Sequence, residues 1–161
     1  MNKAVVPGSF DPVTKGHLDI IERAARIFDE VVVVVLQNPA KVTTFTVEER
    51  MDFIRRVTAE IPNVRVDSFS GLLVDYMRKE DAKVIVKGLR AVSDFEYEYQ
   101  MSLTNRQLNP EVETFFLNTS QEYMFLSSSI VKQIASFGGD VSNFLPEPIR
   151  DDVHNRLRKG N

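Results

Sequence analysis

Four stretches of the chain collect residues able to handle phosphate. In the first, PGSFDPVTKGH at 7–17, Gly8 and Ser9 precede a turn, and Gly16 and His17 fall where a helix should begin. Glycine leaves room for a ligand beside the backbone, serine offers a hydroxyl, and the free N–H groups and dipole of a helix start favour an anion. The same residues also read as a shaped turn followed by a solvated histidine. Neither GxxxxGK[ST] nor GxGxxG occurs, which excludes a Walker loop and a dinucleotide fingerprint. The second stretch, QNPAK, sets Lys41 beyond an apolar run, where it is either a phosphate contact or ordinary surface. The third, VKGLRAVSDFEYEYQ, brackets Gly88 with Lys87 and Arg90, two cations that can surround a phosphate chain. Asp94 and Glu98 follow one helical turn apart, either as part of that site or as the solvated face of a capped helix. The fourth, EYMFLSSSIVK, lines up Ser127, Ser128 and Ser129 at a helix start. One serine would only cap the helix; three add hydroxyls to the free N–H groups, a combination suited to the β- and γ-phosphates of a nucleotide.

Such stretches need a scaffold that brings them to one place. Lys3 to Val6 predicts a short buried strand, and after the turn Leu18, Ile21, Ala25 and Phe28 recur at helical spacing. VVVVVL at 31–36 lacks alternation, as a parallel strand covered on both faces does. Thr46 and Glu49 form a capping-box pattern ahead of the stripe Val47, Met51, Ile54 and Val57, and Pro62 closes that helix region. Val64 to Val66 and AKVIV at 82–86 predict further strands around a short helix from Leu72 to Met77. Ser93 and Glu96 make a second capping box, opening a helix from about Asp94 to Leu108 whose Phe95, Tyr97, Tyr99, Met101 and Leu103 put apolar residues on more than one face. Such a helix is either deeply buried or partly covered by a neighbouring subunit. Thr114 to Leu117 predicts a fifth strand, Gly138 and Gly139 end the helix after the serines, and Ile149, Val153 and Leu157 mark a short C-terminal helix near 149–158. The alternation predicts an α/β fold of one domain over 1–161, a doubly wound parallel five-stranded sheet. Ligands bind such sheets beyond the C-terminal strand ends, where the strand order reverses.

Composition narrows the chemistry further. A hydrophobic fraction of 43% with 27% charged residues belongs to a globular domain, and no apolar run is long enough to span a bilayer. The N-terminal MNKAVVPGSF lacks the pattern of a signal peptide, so a cytoplasmic location is expected. With no cysteine, thiolate nucleophiles, disulfides and Cys-based zinc sites are excluded. A net charge of −3 gives no global attraction to nucleic acid.

Thr14 to His17, T-K-G-H, resembles the (H/T)xGH signature of the HIGH-superfamily nucleotidyltransferases. GSFDPVTKGH, GLRAVSDFEYE and the serine motif from Tyr123 to Ser129 are similar, in order, to the phosphopantetheine adenylyltransferase family, and the resemblance runs from Val5 to about Pro148. Lys87 stands where many members have arginine, and Leu126 where isoleucine is common. The resemblance implies a Rossmann-like nucleotidyltransferase fold and transfer of the adenylyl group of ATP to 4′-phosphopantetheine, giving dephospho-coenzyme A and pyrophosphate. It implies ATP contacts at Ser9, Phe10, His17, Gly88, Leu89, Arg90, Glu98, Tyr123, Met124, Phe125, Leu126, Ser127, Ser128 and Ser129, and substrate contacts at Ser9, Lys41, Leu73 and Lys87. A phosphate-monoester acceptor, with a second pKa near ~6, is already largely ionised at neutral pH. No general base is then required, and His17 becomes a hydrogen-bond donor that stabilises the transition state. Mg²⁺ would be held mainly through substrate phosphates and water, with no protein metal site. The family also implies a homohexamer, with coenzyme A as a candidate feedback inhibitor, and neither nucleic acid nor membrane as a partner. Nucleotidyltransferases acting on nicotinate mononucleotide, glycerol phosphate or flavin mononucleotide share the first loop and the serine-rich helix start. A nucleotide-binding regulatory module would keep the glycines, serines and cations without needing His17.

Overall fold

Short β-branched runs separated by helical segments cannot pair as hairpins, so parallel ladders must satisfy their backbone groups. The computed structural model describes residues 1–159, apart from the side chains of Val92, Ser93 and Lys159. Strands β1 (Lys3–Gly8), β2 (Glu30–Gln37), β3 (Val64–Ser70), β4 (Val84–Leu89) and β5 (Glu113–Asn118) form one parallel sheet in the order β3-β2-β1-β4-β5. They alternate with helices α1 (Lys15–Ile27), α2 (Val47–Val57), α3 (Leu73–Lys79) and α4 (Val92–Leu108), and α5 (Ser128–Ser136) and α6 (Arg150–Lys159) follow the last strand. The predicted doubly wound α/β fold is the one observed. Among the described residues no helix is long and apolar enough to cross a membrane.

Alternate residues of the sheet feed two cores, which is why VVVVVL needs no polar face. Ala4, Val6, Val31, Val33, Val35 and Val86 pack with Ile20 and Ile21 of α1, Phe53 and Ile54 of α2, Val131 of α5 and Val153 of α6. Val5, Val32, Val34 and Ile85 turn the other way, onto Tyr76 and Met77 of α3. α4 lies against α3 and β5, yet Phe95, Tyr97, Tyr99, Met101 and Leu103 remain 38–63% exposed. Deep burial within one chain is therefore not what its apolar residues serve.

The pairing of the two central strands opens the site. β1 pairs with β2 from Lys3↔Glu30 to Gly8↔Val35, but with β4 only at Ala4↔Val84 and Val5↔Ile85. Past Val5 the neighbours part, and the strand order reverses at this same place.

Several boundaries differ from the sequence reading. β4 continues to Leu89, so Lys87 and Gly88 lie within the strand, paired with Phe116 and Leu117, rather than leaving its end. β3 likewise runs on to Ser70, through polar residues that break the apolar pattern. α4 begins at Val92 with Ala91 as N-cap, which puts Ser93 inside the helix; the Ser93 side chain of the expected capping box lies outside the described residues. The Thr46 box does form: Thr46 Oγ1 accepts from the Glu49 N–H at 3.2 Å, and Glu49 Oε2 from the Thr46 N–H at 2.8 Å.

Candidate active site

The parting of β1 and β4 leaves a cleft of about 310 Å³. Val6, Pro7, Gly8, Val86, Lys87 and Gly88 come to it from the two strands, and Ser9, Phe10, Thr14, Gly16, His17 and Ile20 from the turn and the start of α1. Arg90, Asp94 and Glu98 enter from the start of α4, and Tyr123, Leu126, Ser127 and Ser128 from the approach to α5. Three of the four phosphate-handling stretches thus meet. The second, QNPAK, does not: Lys41 is exposed in the β2–α2 loop, outside the cleft. Leu73 also lies outside it, at the head of α3, packed against the core with Tyr76 and Met77. Leu89, Met124, Phe125 and Ser129 also fall outside its lining. Leu89 ends β4 with its carbonyl accepting from the Thr119 N–H, Met124 and Phe125 are about half exposed, and Ser129 is exposed in the first turn of α5.

The start of α1 fixes His17. A capping box normally places Glu or Gln three residues after the N-cap; here His17 takes that place after Thr14. Thr14 Oγ1 accepts from the His17 N–H at 3.3 Å, and His17 Nδ1 accepts from the Thr14 N–H at 3.0 Å. A backbone N–H can only donate, so Nδ1 carries no proton and the neutral ring holds its hydrogen on Nε2. Desolvation, reinforced by the charges of Arg90 and Lys87, lowers the His17 pKa from 6.5 to about 4. The ring is therefore a neutral Nε2–H donor at physiological pH, with the Phe10 ring edge-on to it at 5.1 Å.

Two glycines of the site do different work. A Cβ on Gly16 would make only ordinary contacts, with Thr14 Oγ1 at 3.5 Å, Tyr123 Cβ at 3.6 Å and Leu126 Cδ2 at 3.8 Å, so packing alone does not require glycine at this position in the lining of the cleft. A Cβ on Gly88 would stand 2.9 Å from Ile20 Cγ1. Gly88 admits α1 against β4, a packing role where the sequence suggested room for a ligand.

Both cations of the cleft have carboxylate partners. Lys87 Nζ is 3.3 Å from Glu98 Oε1, Arg90 Nε is 3.0 Å from Asp94 Oδ2, and Arg90 Nη1 donates to the Leu126 carbonyl at 3.0 Å. The serines are partly occupied too. Ser127 Oγ accepts from the Ile130 N–H at 3.1 Å as the N-cap, and Ser128 Oγ donates to the Pro12 carbonyl at 2.7 Å. The N–H groups of Ser128 and Ser129 precede the first intrahelical bonds and remain the anion-facing feature of this helix start.

The cytidylyltransferase-like family matches residues 5–134, a span that takes in every residue lining the cleft. The phosphopantetheine adenylyltransferase of Heliobacterium modesticaldum is 62% identical over 149 residues, which cover 92% of this chain and 89% of that protein. The chain belongs to the phosphopantetheine adenylyltransferase family. The family's members from Clostridium tetani and Clostridium kluyveri are 58% and 57% identical, over 95% and 99% of this chain. As a nucleotidyltransferase of this family the chain is an enzyme, and its cleft brings together His17, the cations Lys87 and Arg90 and the serine helix start.

Sequence reasoning passed over two members of the surrounding structure, Asp11 and Arg50, each only 4% exposed. An aspartate between Phe10 and Pro12 reads as a turn former, and an arginine flanking an apolar stripe reads as surface. No spacing or composition in the sequence sets either residue apart from a turn former or a helix-surface cation.

Proposed function

We propose that the whole chain, 1–161, acts as one catalytic domain that transfers the adenylyl group of ATP to 4′-phosphopantetheine, a step of coenzyme A synthesis. An oxygen of the acceptor phosphate attacks the α-phosphorus of ATP, the bond from that phosphorus to the bridging oxygen breaks, and pyrophosphate leaves. The ionised acceptor needs no general base, so positioning and charge stabilisation carry the rate. The observation that carries this reading is the neutral His17 ring in the cleft, with Nδ1 occupied by Thr14 and Nε2–H free to donate to a non-bridging α-phosphate oxygen. Gly16, in the lining of the cleft beside His17, lets that phosphate approach the backbone.

On this reading ATP lies along Ser9, Phe10, His17, Gly88, Leu89, Arg90, Glu98 and the segment 123–129, with Arg90 and the α5 start holding the departing pyrophosphate. Ser9, Lys41, Leu73 and Lys87 serve the acceptor. Lys41 and Leu73 follow the C-terminal ends of β2 and β3, on the side of β1 away from β4, which suits a second substrate entering beside the nucleotide. Among the described residues no three His, Asp or Glu side chains stand together as a metal cage, and Asp94 and Glu98 are engaged by Arg90 and Lys87. Mg²⁺ fits as part of the nucleotide substrate, on phosphate oxygens and water, where it neutralises phosphate charge. A cytoplasmic homohexamer completes the reading, with coenzyme A as its feedback ligand.

The test is pyrophosphate release by the purified protein with ATP, Mg²⁺ and a panel of acceptors: 4′-phosphopantetheine, nicotinate mononucleotide, glycerol phosphate and flavin mononucleotide. Turnover with 4′-phosphopantetheine alone is expected. Turnover with another acceptor reassigns the substrate, and ATP binding without any turnover makes the chain a nucleotide-binding module.

A further inference from the structure

Asp11 and Arg50 are buried charges that the proposed chemistry does not use, and a buried charge persists only where hydrogen bonds satisfy it. Asp11 Oδ2 accepts from the Thr44 N–H at 2.9 Å and from the Lys132 ammonium on α5 at 3.0 Å, while Oδ1 accepts from the Phe45 N–H at 2.9 Å. Arg50, on α2, donates through Nε to the carbonyls of Phe45 at 3.1 Å and Thr46 at 3.3 Å, and through Nη1 to that of Ser9 at 2.8 Å. These bonds join the turn before α1, the end of the β2–α2 loop and α5, three segments remote in sequence. The turn also holds Phe10 at φ +49°, in the left-handed region that side chains disfavour, and such a conformation persists only when its surroundings over-determine it.

We infer that Asp11 is a positioning residue for the acceptor half of the site: by holding Thr44 and Phe45 it sets where the loop 38–45, and Lys41 with it, stands relative to the His17 turn. Arg50 braces the same junction from α2. The inference rests on the reading of Lys41 as an acceptor contact. Neither side chain touches a reacting atom. The carboxylate matters because it accepts three times; an amide of the same shape would turn its own N–H₂ toward at least one of those donors.

The experiment is pyrophosphate-release kinetics on the intact protein, with ATP and 4′-phosphopantetheine varied in turn, for the wild type, Asp11→Asn, Lys41→Ala and the double variant. Asp11→Asn should raise the KM for 4′-phosphopantetheine tenfold or more, change kcat and the KM for ATP less than threefold, and add little to Lys41→Ala, because both act on one contact. Amide hydrogen exchange on the wild type supplies a readout independent of whether the variant folds: the Thr44 and Phe45 N–H groups should be protected far beyond that of Val42. A variant that loses stability with both KM values unmoved overturns the inference, as do effects that simply add to those of Lys41→Ala, or Thr44 and Phe45 amides that exchange as fast as that of Val42. A wild type inactive on 4′-phosphopantetheine overturns the functional reading first, and this inference with it.

Discussion

His17 owes its assigned role to a hydrogen bond made on the side of the ring away from the chemistry. The Thr14 N–H fixes Nδ1 as an acceptor, and burial, reinforced by the charges of Arg90 and Lys87, keeps the ring neutral. Removing an oriented donor of this kind costs about 10²–10³ in kcat, so His17→Ala should lower kcat by that order and leave the KM for ATP within a few-fold. A kcat near wild type would remove the ring from the transition state. The pH profile gives a separate check. With His17 protonating only near pH 4, the acid limb of activity should follow the acceptor phosphate, whose second ionisation lies near ~6. A phosphonate acceptor, of higher second pKa, should carry that limb upward; a limb that stays in place belongs to the protein. Stability should respond as well. The unfolded chain binds the His17 proton near 6.5 and the folded chain near 4, so stability falls as pH drops through that window, by about 2 kcal/mol between pH 7 and 5. Urea midpoints should show this loss in the wild type and not in His17→Gln. Little of it is legible in the sequence. The residue type and its place at a helix start are, but the tautomer depends on a local backbone bond and the charge state on burial, reinforced by Arg90 and Lys87, which arrive from β4 and the turn that follows it.

At the level of elements, periodicity and capping carry most of the fold. The unalternating VVVVVL run, the Thr46–Glu49 box and the stripe through Ile54 each lead to an element that is present. What patterns of burial could not show is how far strands continue once they stop being apolar. β3 extends through Asp67 and Ser68, and β4 through Lys87 and Gly88, because the neighbouring strand still offers partners. The consequence for function is that Gly88 is a strand residue facing α1, and this separates two substitutions that look alike in sequence. Gly88→Ala drives a methyl into Ile20, a buried side chain three residues after His17, and should destabilise the protein by about 1–3 kcal/mol. Gly16→Ala meets only ordinary contacts in the first turn of a helix, where alanine is the better residue, so its thermal midpoint should equal or exceed that of the wild type. Its activity should nevertheless fall, because on the proposed reading the α-phosphate approaches this turn and a methyl group here presses on Tyr123 and Leu126, which line the cleft. A destabilised but fully active Gly16→Ala would move the phosphate elsewhere.

At the scale of the whole molecule, the surface of α4 is what a single chain leaves uncovered. Phe95, Tyr99 and Leu103 recur every fourth residue along one stripe and Tyr97 and Met101 along another, all at least 38% exposed, and Phe95 stacks on Tyr99 at 5.5 Å instead of on the core. A lone soluble chain rarely leaves so continuous an apolar strip in water, and its position beside β5 places it away from the core of its own chain. Helical spacing made the strip visible in the sequence; only the structure shows that the chain does not cover it itself. The proposed homohexamer provides a cover, and it has a mass to be measured: six chains of 18.4 kDa, about 110 kDa by sedimentation equilibrium. Tyr99→Glu at the middle of the strip and Leu103→Glu at its end place charge on it without touching the cleft, so each should shift the sedimenting mass toward smaller species while circular dichroism stays unchanged. Loss of activity in step with dissociation would make the assembly part of the catalytic unit, whereas full activity in the dissociated chain would confine the strip to assembly. A wild type that sediments at 18.4 kDa would refute the assembly outright and leave the exposed face of α4 without the partner assigned to it.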